Sequence, residues 1–339
     1  MTTRSNAFLI VLTCLLIQPL AKSSAFAQAS KKKILVVVTS NAKLLNGQSA
    51  GYYLPELVDF VEVIRDQGLD TANFDVVSPK GGKAPMYRRQ TYLNYYSGYG
   101  HLPSILAKVD QSRKPSEIDA SAYAAVYYVG GFASLIDLPK DTAIGKIAME
   151  IYRNGGVLGA VCHGPSGLLA IRQEDGTRLI SGKRLTTRSW DEESGHDQIM
   201  REDVLAAFPF ILFEEMEQAG AEVSFGPYME PYVVTDGRIV TGQNEYSATG
   251  VAQAMISLLS EVASVETTSA GSEINVERTA HGLEFSLGLS QDLTVELTDM
   301  LGRVRTARGA TVRFDNLNTG HYLARFQVGT ESSVMKIAY

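Results

Sequence analysis

Positive charge, histidine and cysteine are all scarce in this 339-residue chain. Lys and Arg number 31 against 37 Asp and Glu, which gives a net charge of −6 and no basic stripe, so nucleic acid is not expected as a partner. The histidines outside position 163 show no paired metal-ligand spacing, so no metal site is expected; they are His101, His196, His281 and His321. No glycine pair forms a G-x-x-x-x-G-K-[ST] phosphate loop, and we expect no cofactor.

Long apolar runs are confined to the N-terminus. A basic start, the run "AFLIVLTCLLIQPLA" and the string "KSSAFAQA" predict a signal peptide over residues 1–27, cut after Ala27 or, as the second choice, after Ala29. Gln18 and Pro19 interrupt the run, which disfavours a membrane anchor and predicts no membrane span in the mature chain. The Thr that precedes Cys14 disfavours a lipoprotein signal. We therefore expect an exported protein, secreted or on the cell surface, with the periplasm in transit.

Export leaves one cysteine in the mature chain. Cys14 departs with the signal peptide, so Cys162 has no intramolecular partner. An odd thiol in an exported protein indicates either intermolecular pairing or a reactive role.

Residues 31–261 alternate strand and helix patterns. Strands are predicted at 33–40, 73–79, 124–131 and 155–161, and helices at 54–66 and 142–152. Later segments predict a short strand at 184–188, a helix at 211–219, a hairpin turning at Asp236-Gly237 and a helix from 247 to about 260. This alternation is typical of an α/β fold with a doubly wound, mostly parallel sheet.

The composition changes after residue 261. Residues 262–273, "VASVETTSAGSE", are small and polar without a period, which predicts a linker. From 274 to 339 apolar residues alternate with polar ones between glycines, as in Leu283, Phe285, Leu293, Val295 and Leu297. This pattern predicts a small all-β sandwich domain.

Cys162 lies in "GAVCHGPSGLL", at the predicted junction of a buried strand and a helix that begins near Gly164. Such junctions at the carboxyl edge of a parallel sheet bind ligands and can present a nucleophile on a sharp turn. A helix N-terminus and a histidine beside the sulfur would both favour the thiolate. The alternative is a small buried core residue, because free cysteine is among the most buried types.

Three further residues lie at predicted strand ends. Gly130 and Gly131 end one strand, where a backbone N–H could face an oxyanion, or where a tight turn could simply need glycine. Glu56 opens the first helix, where it could reach the thiol or could merely favour the helix dipole.

Six strings carry a resemblance to a known family: "GYYLPEL", "VVSPKGG", "VYYVGGFASLIDLP", "GAVCHGPSGLL", "GKRLTTRSWDEE" and "DGRIVTGQNEYSA". Their order and spacing resemble the ThiJ/PfpI superfamily, which shares the flavodoxin-like fold of class I glutamine amidotransferases. The likeness is greatest to the larger branch of stress-response chaperones and glyoxalase III enzymes.

The resemblance implies roles for individual residues. Cys162 matches the nucleophile, His163 the adjacent base and Glu56 the acid that contacts the sulfur. Gly130, Gly131 and the His163 amide match the oxyanion and substrate-binding site. Glu193 falls on the position that orients the histidine, with Glu192 as the neighbouring alternative.

The implied activity is a cofactor-independent glyoxalase III that converts methylglyoxal or a related 2-oxoaldehyde to a 2-hydroxy acid, a lyase of the D-lactate dehydratase type. The implied partners are a small carbonyl substrate and a second copy of the chain in a homodimer. The alternatives are a cysteine amidase or peptidase of the same fold, and a non-enzymatic holdase chaperone or redox-responsive protein.

Two segments depart from the family pattern. Phe132-Ala133 stands where many relatives have His-Gly, which predicts a more apolar pocket. The Tyr-rich and Arg-rich segment 85–100 replaces a short acidic turn and predicts either a lid or an aromatic surface.

The C-terminal β domain has a resemblance of its own, to the sorting domains of type IX secretion. The matching residues are Asp299, Gly302, Arg303, Leu317, Gly320, Tyr322 and Lys336. This resemblance implies the secretion machinery as a partner, although the usual "Pro-Asn-Pro" opening is missing and a plain accessory β domain remains the alternative.

Overall fold

The computed structural model describes residues 32–194 and 205–267, and in the C-terminal region residues 274–279, 282–287, 293–299, 304–309, 311–315, 317, 321–328 and 331–338. The predicted signal peptide (1–27), residues 268–273 of the predicted linker, His196, His281, Gly302, Arg303 and Gly320 lie outside the described residues. Within these ranges, every helix is too short or too polar to cross a bilayer.

A six-stranded sheet forms the centre of the α/β part. The strands of this part are β1 (Lys33–Val37), β2 (Phe74–Val77), β3 (Tyr123–Tyr128), β4 (Val157–Val161), β5 (Arg184–Leu185), β6 (Glu222–Val223), β7 (Val233–Asp236) and β8 (Ile239–Gly242). The sheet order is β2-β1-β3-β4-β8-β7, with β5 and β6 paired separately. All its pairs are parallel except the β7–β8 hairpin, which confirms the predicted mostly parallel sheet and the turn at Asp236-Gly237.

Helices cover both faces of this sheet. They are α1 (Leu54–Asp66), α2 (Arg89–Tyr95), α3 (Leu102–Val109), α4 (Ser134–Asp137), α5 (Thr142–Arg153), α6 (Trp190–Glu193), α7 (Leu212–Gln218) and α8 (Ala248–Thr267). On β1, Ile34 and Val36 join the apolar cluster that includes α1 and α8, whereas Leu35 and Val37 join the cluster that includes α5. Burial on both faces explains why the parallel strands are apolar runs rather than alternating patterns.

Three local predictions differ from the structure. The segment after Cys162 is a 3₁₀ helix, Gly164–Ala170, rather than an α-helix. The short strand predicted at 184–188 ends at Leu185. Helix α8 runs to Thr267, so the first part of the predicted linker is helical; its small residues lack a glycine or proline there that would end a helix.

The C-terminal region contains two antiparallel sheets. Its strands are β9 (Ile274–Thr279), β10 (Gly282–Leu287), β11 (Leu293–Asp299), β12 (Val304–Gly309), β13 (Thr311–Asp315), β14 (His321–Val328) and β15 (Glu331–Ala338). One sheet has the order β13-β10-β9 and the other β12-β11-β14-β15. Alternate residues of both sheets, among them Phe285, Val295 and Phe314, form one apolar cluster, as the period of two predicts.

Candidate active site

Cys162 follows β4 on a strained turn. Its φ is +61°, in the left-handed region that a residue with a Cβ rarely adopts and that costs about 1 to 3 kcal/mol. Two hydrogen bonds hold this backbone in place: the Cys162 N–H donates to the Gly242 carbonyl at 2.9 Å, and the Thr187 hydroxyl donates to the Cys162 carbonyl at 2.7 Å. The side chain is 5% exposed. The turn thus matches the predicted nucleophile elbow, although it leads into a 3₁₀ helix.

His163 and Glu193 extend from the thiol in a line of hydrogen bonds. The His163 Nδ1 lies 3.4 Å from the Cys162 Sγ, and its Nε2 lies 2.7 Å from the Glu193 Oε1. Both side chains are buried. A carboxylate only accepts hydrogen bonds, so it favours the tautomer with the proton on Nε2, which leaves Nδ1 as the acceptor for the thiol proton.

Glu192 points elsewhere. Its Oε1 accepts hydrogen bonds from the Met229 N–H at 3.0 Å, the Gln243 amide at 2.9 Å and the Asn244 amide at 2.7 Å. Adjacent residues of the one-turn helix α6 are rotated by about 100°, so only one of the two glutamates can face His163. The geometry therefore gives the histidine contact to Glu193, whose orienting role remains a prediction.

Glu56 lies in the first turn of α1 and is fully buried against the thiol. Its Oε2 accepts a hydrogen bond from the Gly130 N–H at 2.6 Å, whereas its Oε1 has no partner among the described residues. Burial, reinforced by the charge of Glu245, raises the pKa of Glu56 well above its ordinary value, while the Gly130 N–H and Cys162 oppose this shift. Because a carboxyl that merely favoured the helix dipole would be solvated at the surface, the location supports the alternative that Glu56 reaches the thiol.

Gly130 and Gly131 leave no room for a side chain. A Cβ on Gly130 would lie 2.8 Å from the Glu56 Oε2 and 2.9 Å from the Cys162 Cβ. Gly131 has a φ of +106°, and its Cβ would lie 2.3 Å from the Gly51 carbonyl. Among the described residues, no backbone hydrogen bond uses the N–H of Gly131 or of His163. Neither amide is therefore committed to another backbone group, and their role in holding an oxyanion stays a prediction.

One charged residue not predicted from the sequence, Arg188, faces the thiol, and a second, Glu245, binds that arginine. The Arg188 Nη1 lies 3.9 Å from the Cys162 Sγ and 2.7 Å from the Glu245 Oε2. Burial raises the pKa of the Cys162 thiol well above its ordinary value; Glu56 acts in the same direction and Arg188 in the opposite one. Arg188 lies in the string "GKRLTTRSWDEE" and Glu245 in "DGRIVTGQNEYSA", but no sequence pattern indicates that either residue lies near Cys162 in the fold.

Aromatic rings form an apolar wall beside the histidine. The Phe132 and Phe208 rings meet the His163 ring edge to face, with centroids 5.3 and 5.6 Å away. The ring of Tyr87, from the segment 85–100, packs against the Phe132 ring, with their centroids 5.6 Å apart. The replacement of His-Gly by Phe132-Ala133 thus puts an aromatic ring against His163.

Three further tyrosines of segment 85–100 pack inward, whereas Tyr95 is exposed. Tyr92, Tyr96 and Tyr99 are partly buried against the cluster that includes α1. This packing favours an aromatic surface fixed to the domain over a detached lid.

The arrangement suits thiol chemistry on a carbonyl. It combines a nucleophile, a base oriented by an acid, a second buried acid and two backbone amides. In the described part of the chain, no group of three or more His, Cys, Asp or Glu side chains is placed to hold a metal ion.

Known proteins with similar sequences and structures share this α/β part. The model of the DJ-1/PfpI family matches residues 56–258. A glutathione-independent glyoxalase of Saccharomyces cerevisiae is 31% identical over 67% of this chain and 98% of its own length. A probable glutathione-independent glyoxalase of Schizosaccharomyces pombe is 33% identical over 44% of this chain and 59% of its own length. The crystal structure of glyoxalase III from Candida albicans superposes with a TM-score of 0.57 at 26% identity, covering 68% of this chain and 98% of that one. This chain therefore belongs to the DJ-1/PfpI family.

Proposed function

We propose that the chain is a cofactor-independent, glyoxalase III-like enzyme that converts methylglyoxal or a related 2-oxoaldehyde to a 2-hydroxy acid. The observation that carries the proposal is the line from the Cys162 Sγ through the His163 ring to Glu193, with atoms 3.4 and 2.7 Å apart. The glyoxalases named above support the same substrate class, because their likeness spans the strands and helices that carry this line.

The first step is addition of sulfur to the aldehyde. The thiol proton moves to the His163 Nδ1, and the Cys162 Sγ forms a bond to the aldehyde carbon. The carbonyl electron pair moves to oxygen, where the N–H groups of Gly131 and His163 stabilise the oxyanion. The His163 imidazolium gives its Nδ1 proton to that oxygen, which yields the hemithioacetal and restores the ring as a base.

The second step moves a proton within the substrate. His163 removes the proton from the former aldehyde carbon, giving an enediolate, and returns it to the neighbouring carbon, while the hydroxyl proton of the first carbon moves to the neighbouring oxygen through the enediol. Glu193 holds the ring in place and stabilises the imidazolium that forms between the two transfers. The product is a thioester of the 2-hydroxy acid, and water hydrolyses it to release the acid and the free thiol.

Lactate formation from methylglyoxal tests this proposal. Wild type should form D-lactate, measured with a stereospecific dehydrogenase, and Cys162→Ala should fall to background while keeping its far-UV circular dichroism. Arg184→Gln, which changes an exposed arginine on β5, is the matched control and should retain wild-type activity. Equal lactate formation by wild type and Cys162→Ala would contradict the mechanism.

The same pair of proteins separates the alternatives. Hydrolysis of a panel of amide and peptide substrates by wild type alone, without lactate, would favour a cysteine amidase or peptidase. Suppression of client aggregation by both proteins, with lactate formation by neither, would favour a holdase that needs no thiol chemistry.

Export by a signal peptide and a C-terminal sorting domain is a further proposal. It is supported by the composition of residues 1–27 and by the "D-x-x-G-r-v" likeness near Asp299. Expression in a type IX-competent host should give a mature N-terminus at Gln28, or at Ser30 if cleavage follows Ala29. Deletion of 274–339 should trap the protein in the periplasm. Oligomeric state is a separate prediction: light scattering on the mature protein should show the proposed homodimer. Detection of the full chain in the cytoplasm, uncleaved, would contradict export.

A further inference from the structure

We propose that Arg188 is a catalytic residue that stabilises the Cys162 thiolate, and that Glu245 is the positioning residue that holds its guanidinium against the sulfur. This inference rests on the proposed function, because it supplies a group for the thiol step described there. It adds a buried cation to a site otherwise built from acids, one histidine and backbone amides.

The guanidinium is buried and faces the reacting atom. Arg188 is 6% exposed, and its Nη1 lies 3.9 Å from the Cys162 Sγ. The same Nη1 donates to the Glu245 Oε2 at 2.7 Å, so the carboxylate fixes the donor that lies nearest the sulfur. Cys162, Arg188 and Glu245 come from three different segments, so the fold itself assembles this contact.

The guanidinium has more donors than acceptors around it. Of its five N–H groups, the one on Nε has no partner among the described residues, and the two on Nη2 have only the weakly accepting Met229 Sδ, at 3.9 Å from Nη2. A buried donor without an acceptor destabilises the folded state, because it has lost its hydrogen bonds to water. An arginine that served only to bind Glu245 would not need to face two sulfur atoms, whereas a thiolate at Cys162 would be an acceptor for its unpaired N–H groups.

The surrounding groups define the charge balance of the step. Cys162 is faced by His163, Glu56, Glu245 and Arg188. When the S–H bond breaks, its electron pair stays on sulfur and its proton moves to the His163 Nδ1, while the Nε2 proton remains bonded to Glu193. Of these groups, Arg188 acts to lower the pKa of the thiol, and Glu56 and Glu245 act to raise it, so loss of Arg188 should reduce the thiolate fraction.

Alkylation of Cys162 tests the inference without turnover. Second-order rates with iodoacetamide and with iodoacetate, reagents of similar size and different charge, should be measured from pH 6 to 8 by mass spectrometry. We expect Arg188→Gln to slow iodoacetamide at least 10-fold and to lower the ratio of iodoacetate to iodoacetamide rates. Arg188→Lys, which keeps the charge, should lie between Arg188→Gln and wild type, and Arg184→Gln should match wild type.

A folded Arg188→Gln with wild-type rates and ratio would overturn the inference. Slower alkylation with an unchanged ratio would overturn it too, because that result shows altered access rather than lost charge. If Arg188→Gln does not fold, the ratio of iodoacetate to iodoacetamide rates is measured for the wild-type protein and for free glutathione. A protein ratio no higher than that of glutathione overturns the inference. Dependence on Arg188 without lactate formation would instead preserve the role of Arg188 and refute the glyoxalase proposal.

Discussion

Exchange of one carboxylate for an amide at Glu193 should separate its role from that of Glu192. In Glu193→Gln, the new amide can donate to the His163 Nε2, which would put the ring proton on Nδ1, facing the sulfur. The ring then has no acceptor for the thiol proton, and the imidazolium loses its counter-charge. Because a positioned acid or base contributes about 10²- to 10⁴-fold, we expect kcat for lactate formation to fall by that range, with a smaller effect on KM. This corresponds to about 2.7 to 5.4 kcal/mol in the activation barrier.

Glu192→Gln is the matched control, with the same chemical change one residue away. The Glu192 Oε1 accepts three hydrogen bonds, and its Oε2 accepts a fourth, from the Ser189 N–H at 3.3 Å. If the new carbonyl keeps the bonds at Oε1, the new NH₂ faces the Ser189 N–H, so a donor meets a donor. We expect a loss of about 1 to 3 kcal/mol in the free energy of unfolding and a much smaller loss of kcat.

Urea denaturation and steady-state kinetics on both variants decide the question. Unfolding curves show whether each variant is folded under assay conditions, and kinetics then report on the folded enzyme. The reasoning is refuted if folded Glu193→Gln keeps wild-type kcat, or if Glu192→Gln loses more kcat than Glu193→Gln does.

Three further predictions concern the thiol and its supports. Because burial raises the pKa of Glu56, the folded state binds its proton more tightly than the unfolded state, so the stability that Glu56 contributes falls as pH rises above about 4.5. The free energy of unfolding from urea denaturation should therefore rise for Glu56→Gln relative to wild type between pH 5 and 8, by up to about 1.4 kcal/mol per pH unit. A difference between the two proteins that does not change with pH would contradict this. Gly130→Ala should lose lactate formation and about 1 to 3 kcal/mol of stability, whereas Gly98→Ala, with open space around it, should lose neither. Thr187→Val should cost about 1 to 3 kcal/mol by leaving the buried Cys162 carbonyl unpaired, and unchanged thermal unfolding would disprove that estimate.

The sheet was predictable because its strands carry their own signal. Runs such as "KILVVV" must be apolar throughout when both faces are buried, and the hairpin needs its Asp236-Gly237 turn. The conformation after Cys162 was not predictable in the same way. Proline at the second position suits the start of either helix type, whereas Gly164 and Gly167 lie so close to Tyr128 that a Cβ would be 2.3 and 2.4 Å from its atoms. This packing depends on residues distant in sequence, which a local pattern does not contain.

The site was predictable where neighbouring residues or matched strings locate it, and not where tertiary contacts do. Cys162 and His163 are adjacent, and Glu193 was named with Glu192 as its alternative. The choice between the glutamates needed the direction of each side chain on α6. Arg188 and Glu245 needed the fold to bring three segments together, since an arginine in a sequence is far more often a solvated surface residue.

Charge around the thiol provides an independent argument that Glu56 carries a proton. Four buried or nearly buried carboxyls lie around one guanidinium and one imidazole: Glu56, Glu192, Glu193 and Glu245. Glu245 accepts a hydrogen bond from Arg188 and Glu193 accepts one from the His163 ring, whereas Glu56 has only the Gly130 N–H as a partner and no cation within hydrogen-bond distance among the described residues. An ionised Glu56 would be an uncompensated buried charge, which is far more costly than a protonated one. Its Oε2 already accepts the Gly130 N–H, so the proton belongs on Oε1, which has no partner among the described residues. Glu56 raises the pKa of the thiol only in its charged form, so with Glu56 protonated the ionisation of Cys162 places a single negative charge between a neutral carboxyl and a guanidinium.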